Sequence, residues 1–181
     1  MGKDTRSAPP PGAALTAFEE QIRLALRHIH DAAWLRDNSP LAAPHFLSLL
    51  PQAWLPAQDI AADTGVILRA ALRNAARALW GPEAPADHAQ ALAARHGADE
   101  ARYHFLVLDL NYFHDFAPPD LLARQGRAIP QALIYNEVLH ISRASHDRYL
   151  QAAIRGLAAR VLAALQSPVL EAAVDAPQTL H

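Results

Sequence analysis

The sequence predicts an all-α fold, a helical bundle closed by a C-terminal helix-turn-helix. Three observations predict it. First, apolar residues make up 51% of the 181 positions and recur at three- and four-residue spacing, the rhythm of one buried helix face. Second, alanine dominates that apolar share, β-branched and aromatic runs are scarce, and no stretch alternates in the manner of a strand. Third, residues 129–165 write a short helix, a tight turn at residues 140–142 and a long second helix.

Taken in order, residues 1–12 are polar and proline-rich (MGKDTRSAPPPG) and are expected to be flexible. Residues 13–81 form an N-terminal helical region. Its first helix is expected over 12–36, with Leu15, Phe18, Ile22, Leu26, Ile29 and Ala33 on one face and Trp34 closing it. Asp37, Asn38, Ser39 and Pro40 stop it, and a short apolar segment from Leu41 to Leu50 follows. A second long helix is expected over 58–80, with Ile60, Ile67, Leu68, Ala71, Leu72, Ala75 and Leu79 inward. Gly65 inside it costs about 1 kcal/mol relative to alanine and marks a point of weakness.

The run GPEAP at 81–85 reads as a linker, so a soft boundary separates the N-terminal part from a helix-turn-helix region over 86–166. A short helix is expected over 87–95. A strongly apolar helix follows over 98–115, carrying Tyr103, Leu106, Val107, Leu110 and Phe113, and such a helix belongs at the centre of a fold. Pro118 and Pro119 end it and start a short helix that Gly126 breaks. Pro130 suits the first turn of a helix over 129–139, and the last helix runs from Arg143 to about Leu165. Residues 167–181 are expected to be a flexible tail.

Net charge is −2, so nothing pulls the whole chain toward nucleic acid, but the distribution is uneven. Residues 1–116 are mildly acidic. Residues 117–166 carry six arginines against Asp120, Glu137 and Asp147. Positive charge therefore collects around the last two helices. Cysteine is absent, which excludes disulfides, thiolate metal sites and a cysteine nucleophile. No apolar run approaches the ~18 residues of a membrane span, and the N-terminus has no signal-peptide core. A cytoplasmic protein with no membrane partner is expected.

Ser142 is placed to cap the last helix, because its hydroxyl can accept a backbone N–H of the first turn. Leu150, Ile154, Leu157, Val161 and Leu165 fall on one inward line. Ser145, Arg148 and Arg155 fall opposite, where a recognition helix meets DNA. Arg148 would reach a base edge or a phosphate, Arg155 a phosphate, and Tyr149 the backbone. Arg143 and His146 lean toward the core side of the wheel, but sit at the helix tip within reach of DNA. The DNA-binding set is thus Ser142, Arg143, Ser145, His146, Arg148, Tyr149 and Arg155.

The run EVLHISRASHDRYLQAAIRGLA resembles the C-terminal part of sigma-factor region 4-like helix-turn-helix domains of bacterial regulators. The resemblance is carried by residues 141–148 (ISRASHDR) and 153–158 (AIRGLA), with His146 where those domains have an aromatic residue. It implies that the 103–116 helix corresponds to the first helix of such a domain. The N-terminal run LRHIHDAAWLRDNSPLA also resembles the leader of bacterial proteins of this build. One departure stands out: about 25 residues separate Phe116 from Ser142, roughly ten more than the simple three-helix unit uses.

Other constellations point nowhere so specific. Ten histidines without cysteine raise a metal site, but His28 and His30 point ~200° apart on a helix, and neither HExxH nor HxxxH occurs. No metal, cofactor or catalytic residue is assigned. Arg69, Arg73 and Arg77 form a stripe at i, i+4 and i+8. It reads either as a second phosphate-contacting face or, the favoured alternative, as a face that is solvated or paired with carboxylates of a neighbouring helix. Glu19–Glu20 and Asp99–Glu100 suit helix starts better than catalysis. The expected function is a non-enzymatic, homodimeric transcriptional regulator that binds double-stranded DNA. The alternative is a helical adaptor whose helix-turn-helix meets a protein partner and not DNA.

Overall fold

A computed structural model describes residues 11–56, 63–81, 85, 90–91, 100–126 and 128–166. Within them every regular element is helical and there is no strand. The elements are α1 (Pro11–Arg27), α2 (Ala32–Asn38), α3 (Pro44–Leu47), α4 (Thr64–Trp80) and α5 (Glu100–Leu108), which widens into a π turn (Asp109–Phe113). They are followed by α6 (Pro119–Gln125), α7 (Gln131–Leu133) with its own π turn (Ile134–Val138), and α8 (Arg143–Gln166). No helix among the described residues is long and apolar enough to cross a membrane.

The long helix expected over 12–36 is two helices. Backbone bonds tighten at residues 28–31, and Asp31 caps α2 by accepting the Trp34 N–H at 2.9 Å. The Trp34 ring folds back onto His28, with centroids 3.7 Å apart. This break resets the helical phase: Ile22, Leu26 and Ile29 are buried as expected, but Leu35 is buried in place of Ala33. Of the expected flexible residues 1–12, Pro11 and Gly12 already belong to α1, and Pro11 stands at its first position, where its missing N–H costs nothing.

The helix expected from residue 58 begins at Thr64; residues 57–62 lie outside the described residues, as do most of the linker and the short helix expected over 87–95, and the tail from 167. Asp63 fixes this start in two ways. Its carboxylate accepts the Gly65 N–H at 2.8 Å and pairs with Arg36 of α2 at 2.6 Å. Gly65 is not a weak point. A β-carbon there would collide with the Ala32 carbonyl oxygen, so glycine is what lets α2 cross the first turn of α4.

One apolar core runs through both sides of the 81–85 boundary. It joins Ile22, Leu26 and Leu35 to Leu68 and Leu72, to Leu108 and Leu110, and to Ile154, Leu157 and Val161. Fully burying each such side chain is worth roughly 1.5–3 kcal/mol. A smaller aromatic cluster, Trp80, Phe105 and Phe116 in edge-to-face contact, closes the end where α4 meets α5. Helix α8 packs one face chiefly on α5 and α1, and also on α4, and leaves the opposite face exposed.

Candidate functional site

Two places concentrate polar chemistry. One is the start of α8, which the sequence singled out. The other is a pocket between α1, α4 and the segment after α5.

At the start of α8, Ser142 caps the helix as expected. Its Oγ accepts the Ser145 N–H at 3.1 Å and donates to the Ser145 Oγ at 3.0 Å, so both serines are engaged locally. Arg143 was expected to lean inward. It is exposed and lies 3.7 Å from Asp147, one helical turn on. His146 lies on the core side as expected, but its expected reach to DNA is corrected: it has no exposed surface. Asn111 explains why. Its amide nitrogen donates to the Val107 carbonyl at 2.6 Å and reaches the His146 Nε2 at 3.0 Å. Nε2 must therefore accept, which leaves Nδ1 to donate to Asp147 at 3.2 Å. The Tyr135 ring covers the imidazole from α7, with centroids 5.6 Å apart.

Tyr149 turns inward as well. It is half-buried against Tyr103 and His104 of α5, and Arg148 lies exposed with its guanidinium 5.2 Å from the Tyr149 ring. Arg155 is exposed, but its Nε lies 3.4 Å from Glu19 of α1. Glu19 is itself nearly buried and also holds Arg23 at 3.0 Å, so it joins α1 to α8 instead of serving a helix start. Of the seven predicted residues, the helix brings Arg143 and Arg148 to open surface, ties Arg155 to a carboxylate, and folds His146 and Tyr149 into the bundle.

The second place was visible only in part. The stripe on α4 separates: Arg73 and Arg77 both grip Asp115, at 2.6 and 3.2 Å, as the paired-face reading expected. Arg69, one turn earlier, has no ion pair or hydrogen bond among the described residues. It lines a pocket of about 380 Å³ with Arg73, Asp115, His30 and His114 and the apolar Ile29, Phe113 and Leu122. The two imidazoles lie nearly parallel, 5.5 Å between centroids.

The π turn makes this arrangement. One extra residue per turn swings the chain out after Phe113, and His114 takes a left-handed conformation (φ 62°). Its backbone N–H bonds to the Asp109 carbonyl at 2.7 Å and its Nδ1 lies 3.0 Å from the Leu110 carbonyl. The buried Asp109 carboxyl accepts the N–H groups of Phe116 at 2.8 Å and Asp115 at 3.3 Å. Burial pushes its pKa up to about 7, and the backbone donors only partly offset that.

Comparison with protein-family models, with curated proteins and with solved structures finds no match to this chain. The functional reading rests on the geometry above. Among the described residues no group of three or more histidines and carboxylates is placed to hold a metal ion. The sequence held two hints to the pocket: the arginine stripe, and the histidine of a DAAW turn. It held none that the two would meet.

Proposed function

We propose that the chain is a non-enzymatic helical binding module in which α7 and α8 are structural members of the bundle. One observation carries this reading. The helix that would enter a DNA groove has Leu150, Ala153, Ile154, Leu157, Ala158 and Val161 buried, and its tip histidine is sealed beneath Tyr135 and Asn111. A recognition helix must present its first turns to base edges. Here the first two turns bury His146, half-bury Tyr149 and engage Ser142 with Ser145 and Arg143 with Asp147, which leaves Arg148 as the exposed basic group without a carboxylate beside it.

A second reading is a DNA-binding regulator of the sigma-factor region 4-like kind, acting as a homodimer. The exposed guanidinium groups of Arg143 and Arg148, in the locally basic part of the chain, favour it, as does the motif at 141–158. The two readings part in one experiment: retention of the full chain on mixed genomic DNA across a salt series. The module reading expects little retention and no difference between the parent and an Arg148→Ala, Arg155→Ala double variant. The regulator reading expects binding whose log–log salt slope is about −0.9 per phosphate contact and which the double variant loses. Strong parental binding abolished in that variant would overturn the first reading. Chain mass in solution then separates monomer from dimer.

A further inference from the structure

The pocket beside α4 has the chemistry of a ligand site, and α8 contributes nothing to its walls. Arg73 and Arg77 share one carboxylate, Asp115, and Arg69 stands one turn before them on the same helix, so positive charge is in excess there. Arg69 and Arg73 are one helical turn apart, so their side chains are neighbours on the helix surface. Asp115 takes one terminal nitrogen of Arg73 and holds the group in place, while a guanidinium has five N–H donors to offer. Arg69 is half-buried at the pocket and has no ion pair or hydrogen bond among the described residues, so its guanidinium donors are open to a ligand.

We propose that this pocket binds a small organic anion, with a phosphate or carboxylate head between Arg69 and Arg73 and a short apolar body against Ile29, Phe113 and Leu122. The volume, about 380 Å³, lies within the range of small-molecule sites and suits a ligand of modest size. The stacked imidazoles of His30 and His114 and the Asp115 carboxylate complete the lining; Asp115 is held by Arg73 and Arg77, so the head group is placed on the Arg69 side. Bidentate guanidinium contacts suit both oxyanion heads, so the head group is settled by measurement. The inference is independent of whether α8 meets DNA.

The test is a titration of the full isotope-labelled chain with inorganic phosphate, phenyl phosphate and benzoate, at ionic strength matched with chloride, read by amide chemical shifts. Saturable shifts confined to residues around Ile29–His30, Arg69–Arg73 and Phe113–Asp115 are expected, with phenyl phosphate or benzoate binding more tightly than inorganic phosphate. The preferred head group then names the ligand class. Arg69→Gln is expected to weaken binding about tenfold or more, and Arg160→Gln, an exposed arginine elsewhere on α8, to leave it unchanged. Retained helicity and thermal unfolding of Arg69→Gln guard against a folding defect. An unchanged response in Arg69→Gln overturns the site, as does an equal loss in Arg160→Gln. So does the absence of saturable shifts at tens of millimolar, and inorganic phosphate binding as tightly as phenyl phosphate removes the apolar body from the proposal.

Discussion

The molecule uses the same backbone device twice and finishes it in two ways. Each π turn, Asp109–Phe113 and Ile134–Val138, is followed within two residues by a histidine in the left-handed region, His114 at φ 62° and His140 at φ 51°. The first is locked from inside. The buried Asp109 carboxyl collects the next two backbone N–H groups, and His114 is itself buried, bonded to Leu110 and stacked on His30. The second is closed by backbone bonds, Leu139 N–H to Ile134 and Ile141 N–H to Tyr135, both at 2.9 Å, and His140 is exposed. The first turn therefore builds a wall of a pocket, whereas the second reverses the chain into the Ser142 cap and lays Tyr135 over His146. A side-chain anchor inside a turn makes it a rigid part of a site; without one, the turn is a connection.

Removing the anchor should have the largest effect. Asp109→Leu leaves the Phe116 N–H buried without an acceptor and should cost about 2–4 kcal/mol in urea unfolding. A change under about 0.5 kcal/mol would show that the carboxyl does not hold the turn. The next effect is a pH dependence. Asp109 has a folded pKa of about 7 against an ordinary 3.8, so between those values the folded chain keeps a proton that the unfolded chain releases. Its contribution is full below about pH 4 and is lost as pH rises through about 7, a fall of at most about 1.4 kcal/mol per pH unit. Asp109→Asn should flatten that fall, measured as parent minus variant across the window. Identical pH profiles would count against a protonated carboxyl. The smallest effect carries opposite signs at the two turns. His140→Gly relieves a left-handed conformation and should stabilise by roughly 0.5–1 kcal/mol. His114→Gly relieves the same strain but gives up the Leu110 bond and the ring stack, and should destabilise by about 1 kcal/mol. Equal signs in thermal unfolding would erase the distinction drawn here.

The helical fold was legible because its signal is periodic. Ile22, Leu26, Leu68, Leu72, Ile154, Leu157 and Val161 lie where spacing puts them, and the Ser142 cap could be read from residue type and place. What escaped were events that break the period. Asp31 looks like any acidic residue until its carboxylate is seen under the Trp34 N–H. A π turn shifts the register by one residue without a proline or glycine to announce it, so Asp109 and His114 gave no warning of their burial. His146 leaned toward the core on the helical wheel, as its burial bears out; what sequence does not show is Asn111, 35 residues earlier, whose amide donates to its Nε2 and keeps it from the surface. The pocket escaped for the same reason: Ile29–His30, Arg69 and Phe113–Asp115 are far apart in the chain and share nothing but a meeting point.

The link between α1 and α8 bears on how the chain is made. Arg23 meets Gln151, and Glu19 meets Arg155 across 136 positions. During synthesis the inward face of α1 has to wait for those partners. At 5–20 residues per second that delay is on the order of 10 s, far longer than a helix or a local collapse takes to form. The face of α1 that carries Glu19 and Arg23 is thus completed only when α8 has been made, although it is translated early.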